Sequence, residues 1–157
     1  MRRAPVTVPT MPRLQLVRQK FDVLGAQLGR RYDISVASPA GIDKIATFNL
    51  AGLAPSVDHF NLMSYDFHGT WETTTGHQSA FAGDADGYDI QTAVKAYLDA
   101  GVPAAKVILG APLSTRAWSG VADGGYLEKS SGAAMGTFEK GAYDYKDFIA
   151  QIQPSAG

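Results

Sequence analysis

The sequence contains no cysteine. That excludes disulfides, thiolate metal sites and a cysteine nucleophile, but it leaves the compartment open, because secreted proteins can also lack cysteine. Charge of one sign is lacking too, with 14 Lys and Arg against 15 Asp and Glu and a formal net charge of −1. Neither nucleic acid nor a membrane surface is suggested as a partner. No stretch approaches the roughly 18 apolar residues of a membrane helix. The opening MRRAPVTVPTMP carries two Arg, but proline interrupts it and no apolar run of signal-peptide length follows. There is no internal repeat.

What is present is the composition of a soluble globular protein, at 45% hydrophobic and 18% charged residues. The 17 glycines and 8 prolines point to many loops around short elements. Residues 1–12 read as an extended arm. From Leu14 a helical period begins, with Leu14, Val17, Phe21, Leu24 and Leu28 as its stripe and Gly29 at its end. DISVASPAG follows as a short strand with Ile34 and Val36 on one face. A weaker helical stretch runs from Ile42 to Pro55.

DHFNLMSYD is a second strand whose apolar residues do not alternate strictly, as in a strand buried on both faces. DIQTAVKAYLDAG is the clearest helix, capped by Asp89, striped by Ile90, Val94, Tyr97 and Leu98, and ended by Gly101. KVILGAPL is a third strand. Helix–strand alternation of this kind predicts an α/β fold with a parallel sheet. From Trp118 the texture turns Gly- and Ser-rich, marking a smaller unit with YDYKDFIAQI as its helix.

In parallel α/β proteins, functional groups collect beyond the carboxyl ends of the strands. The first end is Ser38-Pro39-Ala40. The second is Met63-Ser64-Tyr65-Asp66, continuing to Trp71, and the third runs from Pro112 to Trp118. Two Trp, a Tyr, an Asp, a His and an Arg would converge on one face. Aromatic rings stack on sugar rings while Asp and Arg hydrogen-bond hydroxyls, so a carbohydrate cleft is the natural reading. Taken alone, Tyr65 and Asp66 read more readily as a buried Tyr and a loop Asp; Met63, Gly69, Trp71 and Gly76-His77-Gln78-Ser79 in register reverse that preference.

HFNLMSYDFHGTW with GHQSAF, then AVKAYLDAGVPAAKVILGAPLSTRAWSGV, then GTFEKGAYDYKDF resemble consecutive pieces of a family 18 glycoside hydrolase. The similarity is to bacterial secreted chitinases with an α+β insertion domain, and it runs from about Leu14 to Phe148. The resemblance implies a partial (β/α)8 TIM barrel comprising later strands only, over residues 13–117. The start of the insertion domain would occupy residues 118–157. It further implies hydrolysis of β-1,4-linked N-acetylglucosamine polymers through the substrate's own acetamide. On that basis Tyr65 and Asp66 are the catalytic positions, stabilising an oxazolinium. Met63, Trp71, Arg116 and Trp118 are the substrate-binding ones. Trp118 could equally pack the insertion domain against the barrel.

The family's acid-bearing run, Asp-x-x-Asp-x-Asp-x-Glu, is not found in the 157 residues. The expectation is a chain that begins after that strand, ends inside the insertion domain and lacks turnover alone. The alternatives are a chitinase-like protein that binds oligosaccharide without cleaving it, and a truncated frame with no activity. Ser114-Thr115-Arg116 also departs from the family's Tyr-Gly-Arg, losing an aromatic hydroxyl.

No cofactor and no metal are expected. Asp84, Asp86 and Asp89 lack the calcium-loop spacing and read as a turn plus a helix cap. His59, His68 and His77 read as structural or loop residues, and Glu72 as a solvated carboxylate. Glu128, Glu139 and Asp147 read as ordinary surface charges. Chitin or its oligosaccharides are the expected ligand, with self-association through exposed barrel edges. Secretion follows from the resemblance alone.

Overall fold

The computed structural model describes residues 10–122 and 125–152. The chain divides into two compact units, Met1–Ser64 with Phe81–Gly110, and Tyr65–Ala80 with Ala111–Gly157.

The first unit contains α1 (Thr10–Leu28), β1 (Ser35–Pro39), α2 (Ile42–Ile45), α3 (Leu50–Leu53) and β2 (His59–Met63). α4 (Ile90–Asp99), a 3-10 turn (Ala104–Lys106) and β3 (Val107–Leu109) complete it. The three strands are parallel in the order β1-β2-β3, as the alternation predicts. Val36, Phe60 and Val107 form one row, and Ala37, Asn61 and Ile108 the next. Side chains alternate along a strand, so these rows lie on opposite faces.

The first face is the core. Phe60 and Leu62 are fully buried there, and the Phe60 ring meets that of Tyr97 on α4 edge-on at 5.7 Å. Burying a side chain of this size stabilises by about 1.5–3 kcal/mol. Ser38 and Ser64 are buried too. Ser64 donates its hydroxyl to the Gly110 carbonyl at 2.8 Å, so it carries no unmet polar cost. On the second face Asn61, Met63 and Ile108 are exposed. Among the described residues, β2 is thus covered on one face, not both, with Phe60 and Leu62 buried and Asn61 and Met63 exposed.

Asp89 caps α4 as predicted, accepting the Thr92 N–H at 2.7 Å, and Gly29 and Gly101 end their helices at φ +65° and +84°. The buried line of α4 is Ala93 and Tyr97, with Leu98 exposed. Its rotation is fixed by the Tyr97 hydroxyl, which donates to the Pro39 carbonyl at 2.9 Å. Burial pushes that phenol's pKa up to about 12. α1 is rotated as well. Arg18 is buried while Val17, Leu24 and Leu28 are exposed. Ion pairs from Arg18 to Asp58 at 2.9 Å and Asp22 at 2.8 Å set the contact, in place of the expected apolar stripe.

The second unit is a small α+β assembly. β4 (Ser114–Arg116) pairs antiparallel with β7 (Ala142–Asp144), and β5 (Trp118–Ser119) with β6 (Gly132–Ala133). α5 (Tyr145–Ile152) is the predicted last helix. The excursion Tyr65–Ala80 joins this unit through the bridge Thr74–Lys129. No helix among the described residues is long and apolar enough to cross a membrane.

Candidate functional site

Four side chains meet in the second unit: Asp66, Trp71, Arg116 and Glu139. Asp66 lies just beyond β2 with φ +54°, a left-handed conformation uncommon outside glycine but more accessible to Asp than to most residues. One of its oxygens, Oδ1, accepts from both Nε and Nη2 of Arg116, each at 2.9 Å. The third guanidinium nitrogen, Nη1, lies 3.3 Å from Oε1 of Glu139. Hydrogen bonding to Asp66 outweighs partial burial and raises the Arg116 pKa above its ordinary value.

Each partner is delivered by a local fold feature. Arg116 ends β4 and is in register with Ala142 of β7. Glu139 is drawn in by its own bridge to Ala142, whose N–H it accepts at 2.9 Å. Trp71 is presented by the excursion, whose base is closed by Phe67 N–H donating to the Gln78 carbonyl at 3.0 Å. The Arg116 guanidinium lies 5.4 Å from the Trp71 ring centroid, within cation–π range. Gly69 lets the indole approach the backbone, since a Cβ there would fall 2.2 Å from the ring.

Trp71 is 60% exposed and lines a depression of about 440 Å³ with His68, Glu72 and Leu127. His68 Nδ1 is 3.0 Å from Glu72 Oε2, so Glu72 is paired, not merely solvated. Glu139, expected to be an ordinary surface charge, is likewise an Arg116 partner. Tyr65 is half-buried and opens the excursion. Trp118 is half-buried on β5 and lines a different depression. Met63 closes β2 in the first unit, 41% exposed on the open sheet face. Asp84 and Asp86 form turns, with Gly87 N–H donating to the Asp84 carbonyl and Tyr88 N–H to Asp86 Oδ1.

The site therefore combines an exposed indole, a guanidinium and two carboxylates, a donor and acceptor set suited to a hydroxylated ring. Comparison with protein families matches residues 13–155 to Glycosyl hydrolases family 18. The chain belongs to glycosyl hydrolase family 18. Chitinase A1 of Niallia circulans is 36% identical over 150 residues, covering 87% of this chain and 22% of its own length. Chitinase 1 of Aphanocladium album is 36% identical over 140 residues, covering 85% and 33% respectively.

Among solved structures, the catalytic domain of psychrophilic chitinase B from Arthrobacter TAD20 superposes with a TM-score of 0.82 at 26% identity. That match covers 92% of this chain and 35% of that one. The chain thus spans a third or less of the curated relatives named here. Its three parallel strands form part of the family's barrel.

Proposed function

We propose that the second unit of this family 18 chain forms part of a cleft for β-1,4-linked N-acetylglucosamine polymers, whose hydrolysis is the function of the site. The Asp66–Arg116–Trp71 cluster carries the reading, because it joins a stacking ring to fixed polar groups on one surface. Trp71 offers its exposed indole to a sugar ring. Asp66 and Arg116 bond ring hydroxyls. Tyr65, whose hydroxyl is engaged by no other group among the described residues, donates to the acetamide carbonyl oxygen.

In the reaction that oxygen attacks the anomeric carbon as the glycosidic C–O bond breaks. The leaving oxygen takes a proton from a carboxylic acid, and water later opens the oxazolinium with retention. Tyr65 and Asp66 act on the acetamide and on the cation it becomes. The acid is a separate requirement. No Asp-x-x-Asp-x-Asp-x-Glu run occurs in these 157 residues. General acid catalysis contributes about 10² to 10⁴-fold. The chain alone therefore binds oligosaccharide without appreciable turnover. A role outside the cell suits an insoluble polymer of this kind.

Calorimetric titration with N-acetylglucosamine oligomers, alongside a turnover assay, tests both statements. Binding that weakens in Trp71→Ala without release of shorter sugars is the expected result. Absence of binding would overturn the cleft. Robust turnover that disappears in Tyr65→Phe would overturn the requirement for an acid outside this chain.

A further inference from the structure

The turn that carries Trp71 is closed twice. Glu72 donates its backbone N–H to the Gly69 carbonyl at 3.0 Å, so Trp71 is the third residue of a four-residue turn. The side chains flanking that turn then meet, with His68 Nδ1 3.0 Å from Glu72 Oε2. We propose that His68 and Glu72 are positioning residues for Trp71, their pair locking the turn that presents the indole to a sugar ring. The proposal rests on the saccharide reading of the unit.

An exposed ring needs such a lock. Trp71 is 60% exposed, so packing does little to fix its orientation. Arg116 lies 5.4 Å from the ring centroid, but it directs its nitrogens to Asp66 and Glu139. An indole free to swing must be ordered when a sugar stacks on it, and that ordering is subtracted from affinity. His68, Trp71 and Glu72 line one depression, so the pair stands at the edge of the stacking surface.

The pair is itself anchored. An ionised carboxylate only accepts, so Nδ1 carries the proton and donates. The His68 side chain is 13% exposed, and water competes little for that donor. Its ring passes close to Gly76, where a Cβ would fall 2.4 Å from Cγ. One residue earlier, Phe67 N–H donates to the Gln78 carbonyl at 3.0 Å. His68 is therefore the fixed end, and the more exposed Glu72 is the end drawn in. Between them Thr70 packs against Gly141, where a Cβ would fall 2.6 Å from Thr70 Cγ2. The turn is thus held at its two flanks and on the hairpin, which leaves the indole little freedom to lose.

The chain has two tryptophans, so its proton–nitrogen correlation spectrum has two indole signals, assigned with Trp71→Phe and Trp118→Phe. In the free protein, Glu72→Ala should move the Trp71 signal and leave that of Trp118 in place. Calorimetric affinity for the β-1,4-linked N-acetylglucosamine tetramer should fall by about threefold to tenfold. Glu72→Gln keeps an acceptor, and His68→Asn keeps a donor at the Nδ1 position. Both should retain most of the parent spectrum and affinity, whereas His68→Ala should behave as Glu72→Ala. In a Trp71→Ala background, Glu72→Ala should cost no further affinity. An unmoved Trp71 signal in Glu72→Ala, or movement of both indole signals, overturns the positioning role. So does an affinity loss that persists undiminished in Trp71→Ala, which would place Glu72 on the ligand itself. If the parent chain binds no tetramer, the saccharide reading fails, while the free-protein spectra still decide whether the pair positions the indole.

Discussion

Replacing Asp58 with Asn removes a single charge at the point where the first unit is tied together. The carboxylate stands just before β2. It accepts from Arg18 Nη1 at 2.9 Å, from Arg31 Nη2, and from the backbone N–H of Ile34 at 2.8 Å. One side chain thus joins α1, the segment leading into β1, and the start of β2. Its side chain is 12% exposed and that of Arg18 10%. Without the charge, the Arg18 guanidinium stays buried beside Asp22, a largely exposed partner. Breaking a buried pair by removing one member costs about 3 kcal/mol. For a chain of this size that corresponds to a fall of about 6–12 °C in Tm.

Urea unfolding of parent and Asp58→Asn, followed by circular dichroism, measures the loss. The midpoint should fall with little change in slope, because native compactness is retained. Removing both charges in Arg18→Met with Asp58→Asn should recover part of the loss, since no buried charge is then left unpaired. A single-variant loss under about 1 kcal/mol would refute the reasoning, because that is what an exposed ion pair contributes. Acid titration gives a second reading. Burial works to raise the Asp58 pKa, but the Ile34 N–H and the Arg31 and Arg18 guanidinia outweigh it and hold the carboxyl below its usual range. A depressed folded pKa means that the contribution is complete above the unfolded value. It is lost as pH falls through the folded one, so the parent should lose stability below about pH 4 and the Asn variant less steeply.

Gly69→Ala places a Cβ within 2.2 Å of the Trp71 ring, which must then swing away. Oligosaccharide affinity should fall by about tenfold, as for loss of one stacking ring, with the circular dichroism spectrum unchanged. Parent-like affinity would show that the indole pose is not used. Among the described residues, the three-stranded sheet of the first unit leaves its β1 and β3 edges unpaired, with Met63, Ile108 and Leu109 exposed. Its mass by light scattering should therefore rise with concentration, and a concentration-independent monomer contradicts this expectation.

Periodicity and capping residues made most of the elements legible. Asp89, Gly29 and Gly101 act where the sequence puts them, because caps are local chemistry. The faces were less legible. Leu14, Val17, Phe21, Leu24 and Leu28 are a credible stripe, yet an Arg18–Asp58 pair 40 residues apart rotates α1 away from it. No local pattern reports a contact at that separation. β2 reads as doubly buried because its composition suits a barrel interior, whereas the observed sheet has one face open. Of the cluster, Asp66, Trp71 and Arg116 were named from motif order. Glu139 and the His68–Glu72 pair were missed as participants. Glu139 reaches Arg116 through a bridge at Ala142, and single-sequence spacing carries no signal for that bridge.

Glu139 alters the electrostatic account of the cluster. Asp66 and Glu139 share one guanidinium, leaving formally one negative charge in excess around Arg116. An oxazolinium carries a positive charge that the neutral bound sugar does not. Surplus negative potential near it would therefore favour the intermediate over the ground state, which is the differential that accelerates a reaction. Arg116 restrains that surplus. Its paired nitrogens hold Asp66 in a left-handed conformation that costs energy, and such strain persists only where the surroundings over-determine it. On the proposed reading, the cation would position a carboxylate for chemistry as much as it would bind a hydroxyl. Arg116→Lys would retain the charge but not the planar fork, so it separates those two contributions.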